Sequence, residues 1–93
     1  MIKHVVSHKY RDSAEAQKIA PMLRGLVGKV PSLRAMEVGV NVVESKRAYD
    51  LALIATFDDL AGLEAYSSHP EHLKVREYIH SVMESSVSVD FEF

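Results

Sequence analysis

Apolar and polar residues alternate in four stretches of the chain, and each stretch predicts a β-strand. The stretches are residues 2–10, 34–43, 49–57 and 87–93. Alternation of this kind places every second side chain on the same face of a sheet. In the third stretch the intervening positions Ala52 and Ile54 are apolar as well. This pattern predicts a strand that is covered on both faces.

Between the first two strands, apolar residues recur at helical spacing from Ala16 to Val30. Asp12 and Glu15 lie three residues apart before this stripe, which indicates a capping box at the start of a helix. Pro21 predicts a kink or a division into two short helices, because proline lacks the N–H that the helix needs. Gly28 is the predicted C-cap, since glycine commonly ends helices.

A second helical region follows the third strand, and its pattern divides at Pro70. Asp58 or Asp59 is suited to cap the first helix, from which Leu60, Leu63 and either Tyr66 or Ser67 would face the core. Pro70 fits the first position of the next helix, where a missing N–H costs nothing. The second helix is expected to reach about residue 85. Its apolar stripe consists of Val75, Tyr78, Ile79 and Val82.

The order β-α-β-β-α-β over residues 1–93 predicts a single α+β domain of the ferredoxin-like type. Right-handed crossovers in this order give a four-stranded antiparallel sheet with the helices on one face. The opposite face would carry Val5, Ala52 and Ile54, and an apolar face seldom stays exposed. The simplest cover is a second copy of the chain. We therefore expect a homodimer in which two sheets pack face to face as an α+β barrel.

Composition narrows the range of partners. The chain has 93 residues, a formal net charge of −2 and no cysteine. Disulfides and thiolate chemistry are excluded, and the absence of a basic patch argues against nucleic acid. No apolar run has the length of a membrane span, and the N-terminal residues do not resemble a signal peptide. The expected location is the cytoplasm, with no cofactor and no side-chain metal site.

The segment 66–72 holds the densest group of residues that can move a proton. His72 falls in the first turn of the last helix, where the partial positive charge of the helix end disfavours imidazolium. A neutral His72 could act as a base with Tyr66 as its partner. The alternative is purely structural, with Tyr66 as a core aromatic and His72 as a first-turn polar group. His69 is expected to cap the helix.

The other histidines are weaker candidates. His4 alternates with Ile2 and Val6 on the face assigned to the helices, where it is either a satisfied core residue or a ligand contact. His8, near the end of the strand, and His80, on the last helix, are expected at the surface.

The chain resembles the stress-responsive A/B barrel domain family of dimeric α+β barrels, with distant similarity to the plant olivetolic acid cyclase. The similarity spans nearly the whole chain and keeps order and spacing. The residues that carry it are Ile2–Val6, Glu37–Gly39, Tyr49–Leu53, Phe57, Asp58, Leu60, Tyr66, His69–His72 and Val89–Glu92.

This resemblance implies roles for particular residues. The cyclase closes a linear polyketide by aldol condensation, and its catalytic histidine and tyrosine correspond to His72 and Tyr66. One pocket histidine corresponds to His4, whereas a second is replaced here by Leu51. Some plant relatives also hold a magnesium ion on backbone carbonyls, in the region that corresponds to Val27, Val30 and Leu33.

Three functional hypotheses follow. The first is a homodimer that binds a small apolar or aromatic molecule between sheet and helices, through His4, Leu51, Tyr66 and His72. The alternative is a cofactor-free cyclase, lyase or isomerase, in which His72 is the general base and Tyr66 steadies an oxyanion. The third is a structural protein that only assembles.

Overall fold

A computed structural model describes residues 1–93 and shows one antiparallel sheet of four strands. The strands are β1 (Ile2–Tyr10), β2 (Ala35–Val40), β3 (Leu51–Phe57) and β4 (Met83–Glu92), in the order β2-β3-β1-β4. β1 lies in the middle and pairs antiparallel with both β3 and β4. The predicted ferredoxin-like arrangement is confirmed, although β2 and β3 are shorter than the alternation suggested.

Three helices cover one face of the sheet and enclose the core. They are α1 (Glu15–Arg24), α2 (Leu60–Ser68) and α3 (Pro70–Val82). The core lies between them and the inward side chains of β1 and β3. Its largest fully buried side chains are Ile19, Leu23, Leu26, Val30, Leu51 and Phe57. No helix has the length and hydrophobicity that a membrane crossing requires.

The first helix differs from its prediction at both ends. The Asp12 carboxylate accepts from the Ala14 N–H at 3.0 Å, whereas Glu15 accepts a hydrogen bond from the Tyr78 hydroxyl. The capping box is therefore wrong, because the Glu15 side chain holds α1 to α3 instead of folding back. A single helix runs through Pro21 and ends at Arg24. Gly28 lies in the following turn with φ of +89°, a conformation that favours glycine.

The junction of α2 and α3 follows the sequence closely. Asp59 caps α2 by accepting from the Gly62 N–H at 2.8 Å. Nδ1 of His69 accepts from the Glu71 N–H at 3.1 Å and caps α3, and Pro70 occupies the first position of that helix. The prediction that Leu60 faces the core is wrong, since its side chain is 63% exposed at the first position of α2.

The last helix ends earlier than predicted, at Val82 rather than at Ser85. Met83 is already extended and pairs with Tyr10 across the sheet. The register between β1 and β4 shifts between Lys9 and Tyr10, which accommodates one additional residue in β4. Pairing with the central strand therefore overrides the local helical pattern at residues 83–85.

The face of the sheet away from the helices carries the predicted apolar residues at its centre, with Lys3, Ser7 and Glu37 around them. We call it the outer face; it carries Val5, Ala52 and Ile54, and β4 extends it. Val5 pairs with Ile54 on one side and with Val89 on the other. Val89 remains 64% exposed and Phe91 44% exposed. The sequence had not assigned the β4 side chains to this face, and they make its exposed apolar area larger than expected.

Candidate functional site

Tyr66 and His72 meet where α2 ends and α3 begins. Tyr66 is buried, and its ring packs on Phe57 with the centroids 5.2 Å apart. The His72 ring lies against the Tyr66 ring at 4.2 Å between centroids, with an angle of 36° between the planes. His69 alone separates the two helices and brings the two rings together, because Pro70 starts a new helix at once.

The orientation of His72 is set by the backbone. Its Nδ1 lies 3.1 Å from the Ser67 carbonyl oxygen, which can only accept, so Nδ1–H is the donor. In the neutral ring the lone pair is then on Nε2, which makes no hydrogen bond within the chain. Burial lowers the pKa of His72, and the nearby Arg76 and His4 lower it further, although the Ser67 contact opposes them. The neutral form was predicted from the helix end, but burial is the main cause.

The Tyr66 hydroxyl can act as a hydrogen-bond donor, which complements the acceptor on His72. It makes no hydrogen bond within the chain, yet no buried polar side-chain atom lacks a partner, so it reaches open space. Burial of the side chain raises the pKa of Tyr66 to about 12. The hydroxyl is therefore a donor that keeps its proton, on a ring that packs against the His72 ring. The two side chains stack and share no hydrogen bond, so the hydroxyl and Nε2 are each available to a bound molecule.

His4 joins this pair from the central strand. Its ring lies 6.5 Å from the Tyr66 ring between centroids, with the planes 63° apart. Nδ1 of His4 contacts the Asp90 carboxylate on the neighbouring strand β4. His4 is therefore a satisfied residue and also a wall of the cavity described next, so the two readings of the sequence are compatible.

A cavity of about 140 Å³ lies between the sheet and α3, beside these three side chains. This volume is close to that of a cavity that holds one benzene molecule. Apolar walls come from the core, with Val6, Leu23, Leu53, Ile79 and Met83 joining Tyr66. The polar lining residues are His4, His8, His72, Arg76, His80 and Ser86. The cavity can accept a single-ring molecule that bears a few polar groups.

The structure brings together three of the four predicted ligand-binding residues. His4, Tyr66 and His72 line the cavity, but Leu51 does not; it is a core residue with 2% of its surface exposed. Leu51 pairs with His8 across β1 and β3, so it supports the wall from the neighbouring strand.

His8 was expected at the surface, and the structure corrects this. It is 7% exposed, lines the cavity and has Nδ1 2.9 Å from the Tyr10 hydroxyl. Burial, together with His80 and His4, lowers the pKa of His8 to about 4. The alternation of β1 already placed His8 on the same face as His4 and Val6, and this alternation could have predicted that His8 lies inside. His80, by contrast, is exposed as predicted, although it borders the cavity.

The region of the implied magnesium site offers backbone carbonyls and no side-chain carboxylate. The Val30 carbonyl already accepts from the Leu33 N–H at 3.1 Å. Residues 25–34 contain no carboxylate, whereas Lys29 and Arg34 add positive charge. The carbonyl ligands that the resemblance implies require no side-chain carboxylate, so the magnesium site stays a prediction. No group of three or more His, Asp or Glu side chains could hold a metal elsewhere.

The fold and the cavity together define the class of protein, which is an α+β barrel-type domain with a small pocket between its sheet and its helices. Residues 2–93 match the family model of the stress responsive A/B barrel domain, and the chain belongs to that family.

Individual relatives share this architecture. A stress-response A/B barrel domain-containing protein of Arabidopsis thaliana, At5g22580, is 27% identical over 96% of this chain and 83% of its own length. A dimeric protein of unknown function from Bacteroides fragilis has a TM-score of 0.88 and 29% identity, covering 99% of this chain and 95% of that one. A dimeric ferredoxin-like protein from Thermobifida fusca has a TM-score of 0.85 and 24% identity, covering 99% and 90% respectively.

Proposed function

We propose that this protein is a homodimer in which each subunit binds a small, largely apolar or aromatic molecule between sheet and helices. The observation that carries the proposal is the cavity beside Tyr66 and His72. Its apolar walls favour a ring-sized body, and these two side chains offer a donor and an acceptor that no protein group uses. Such a combination of apolar lining and few polar groups is typical of small-molecule sites.

The second copy is proposed to pack on the outer face of the sheet. Val89 and Phe91 are exposed there beside the half-buried Val5 and Ile54. Burial of apolar surface stabilises an interface by roughly 25 cal/mol per Å². The structural relatives from Bacteroides fragilis and Thermobifida fusca are dimeric, which supports the same arrangement here. The cavity lies on the opposite side of the sheet, so it would stay accessible in such a dimer.

A second candidate function is cofactor-free catalysis by the same side chains, as a cyclase, lyase or isomerase. The specific observation in its favour is the Nδ1 contact of His72 with the Ser67 carbonyl, which leaves Nε2 as a base. Nε2 would take a proton from the carbon next to a carbonyl, and the electron pair of that C–H bond would move to the carbonyl oxygen. The Tyr66 hydroxyl would hydrogen-bond to that oxygen as its negative charge develops.

The binding proposal is tested by thermal unfolding with a panel of single-ring aromatic compounds and β-keto compounds. A ligand at ten times its Kd adds about 1.4 kcal/mol of stability, which raises the Tm of a domain of this size by several degrees. Ser86→Phe places a ring at the exposed wall of the cavity without altering the core, and it should abolish the shift. Glu77→Gln, on the exposed surface of α3, should leave the shift unchanged.

Turnover assays of the compounds that bind separate the two candidates. An enzyme should lose activity in both His72→Ala and Tyr66→Phe while the folded fraction stays constant. Binding without any turnover in the native protein would favour the binding protein. The proposal is wrong if no compound shifts the Tm, or if Ser86→Phe responds like the native protein.

A further inference from the structure

Four histidines and one arginine line the cavity from two facing elements. His72, Arg76 and His80 follow one another at four-residue intervals along α3, and eight residues of helix span about 12 Å. His4 and His8 are four residues apart on β1, which corresponds to about 13 Å of strand. All five line the cavity. Burial, His80 and His4 lower the pKa of His8, and, after burial, Arg76 and His4 are among the groups that lower the pKa of His72, so these side chains lie within electrostatic range of one another.

The residues that line the cavity carry a positive charge that no acidic residue of the lining balances. None of the residues that line the cavity is acidic, and the nearby Asp90 carboxylate is in contact with His4. Arg76 makes no hydrogen bond to another side chain or to the backbone, and it belongs to no ion pair. None of its helix neighbours one turn away can neutralise it; these are His72, Leu73, Ile79 and His80. A permanent positive charge therefore borders the cavity without a counterion from the chain.

His8 adds a neutral donor to the same lining. Nδ1 of His8 is the only acceptor that the chain offers to the Tyr10 hydroxyl, so we assign Tyr10 as the donor and place the proton of the neutral imidazole on Nε2. Tyr10 keeps its proton because burial, Asp50 and Glu15 raise its pKa. Asp50 also fixes this corner, since its carboxylate accepts from the Tyr10 N–H at 2.8 Å and its own N–H donates to the His8 carbonyl at 2.8 Å. The His8 donor is thus held in place before any ligand arrives.

We propose that the ligand of this cavity is a small monocarboxylate with an apolar body of single-ring size, whose carboxylate binds Arg76 and accepts a hydrogen bond from Nε2–H of His8. The inference rests on the proposed binding function and specifies its ligand class. The apolar body lies on Val6 and Leu53 and reaches toward Tyr66. A carboxylate suits the site better than a phosphate, because one guanidinium and one neutral donor balance a single negative charge.

The experiment compares benzoate with benzamide, its neutral counterpart of the same shape, by isothermal titration calorimetry at pH 7.5. The native protein should bind benzoate at least tenfold more tightly than benzamide. Arg76→Gln should weaken benzoate binding by roughly tenfold or more, as for the loss of a charge-assisted hydrogen bond, and change benzamide binding less than twofold. Lys74→Gln removes the same charge from an exposed site on α3 and should change the affinity for neither compound.

The His8 contact is tested separately. His8→Phe removes the donor and should weaken benzoate binding severalfold, whereas His8→Gln keeps an N–H group and should recover part of the loss. If His8→Phe does not fold, the Arg76→Gln comparison still decides the question.

The outcomes distinguish the two levels of the proposal. Equal binding of benzoate and benzamide, or equal losses in Arg76→Gln and Lys74→Gln, would overturn the carboxylate inference and leave the apolar binding site standing. If the single-ring panel of charged and neutral compounds fails to bind at all, the binding function falls and the carboxylate inference with it.

Discussion

The rings of Tyr66 and His72 stack with their centroids 4.2 Å apart, yet neither side chain hydrogen-bonds to the other. The stack fixes both rings by packing and leaves the Tyr66 hydroxyl and His72 Nε2 available to a third molecule. Packing and chemistry at this site therefore depend on different atoms of the same residues, and substitutions can separate them.

Tyr66→Phe should change the free energy of unfolding by less than about 1 kcal/mol, because the hydroxyl has no partner within the chain. Tyr66→Ala removes the whole buried ring and should cost about 3–5 kcal/mol. Urea unfolding at one fixed protein concentration measures both values. A large loss in Tyr66→Phe would show that the hydroxyl has a structural partner, and would contradict its assignment to the ligand.

The buried His8 should make stability depend on pH. Its pKa is about 4 in the folded chain and about 6.5 when unfolded, so the unfolded chain binds the proton first as the pH falls. The free energy of unfolding should therefore decrease from pH 6.5 toward pH 4, by up to about 3 kcal/mol from His8. Above pH 7 the protonation of His8 should have no effect on stability. His72 contributes in the same direction.

Urea unfolding at pH 7.5, 6 and 5 in buffers without carboxylates would measure this slope. His8→Gln does not titrate, so it should show a shallower decrease than the native protein over the same interval. Identical slopes in the two proteins would mean that His8 is free to protonate in the folded state.

Asp58 and Asp59, which precede α2, should differ in how much they contribute to the free energy of unfolding. Asp59→Ala removes the cap on the Gly62 N–H and should cost about 1 kcal/mol. Asp58→Ala removes an exposed ion pair with Arg34, whose N–O distance is 2.6 Å, and should cost less, because water screens a pair in open solvent. Thermal or urea unfolding of the two variants compares them directly, and a greater loss in Asp58→Ala would reverse the assignment of the cap.

The outer face should control association. Val89→Asp places a charge beside Val5 and Ile54, where a second sheet would have to bury it, so the variant should be monomeric. Val43→Asp carries the same change in the exposed segment after β2 and should leave the mass unchanged. Light scattering after size-exclusion chromatography measures both. A monomeric native protein, or a dimeric Val89→Asp variant, would exclude the outer face as the interface.

Patterns within a single element were predicted well. The alternation of Ile2–Tyr10 gave the bounds and inner face of β1, and Pro70 marked the first turn of α3. Predictions failed where a distant contact decides the structure. Glu15 bonds to Tyr78 on another helix, and Met83 pairs with Tyr10 on another strand, so neither could be assigned from its neighbours in sequence.

The candidate site was predicted in part for the same reason. His4, Tyr66 and His72 were found because local pattern and family resemblance both pointed to them. His8 was missed because its position near a strand end suggested exposure, whereas Tyr10 and the segment at Asp50 close over it. The importance of Arg76 depends on which residues face it across the cavity, and no helical pattern contains that information.

The central position of β1 links the pocket to the opposite surface of the sheet. His4, Val6 and His8 point toward the cavity, and Val5 points to the outer face, along a strand paired on both sides. Deleting or inserting one residue in β1 would exchange the two sets of side chains. Single substitutions along β1 can therefore alter the cavity lining or the outer face one at a time, whereas a change in the length of the strand would disturb both.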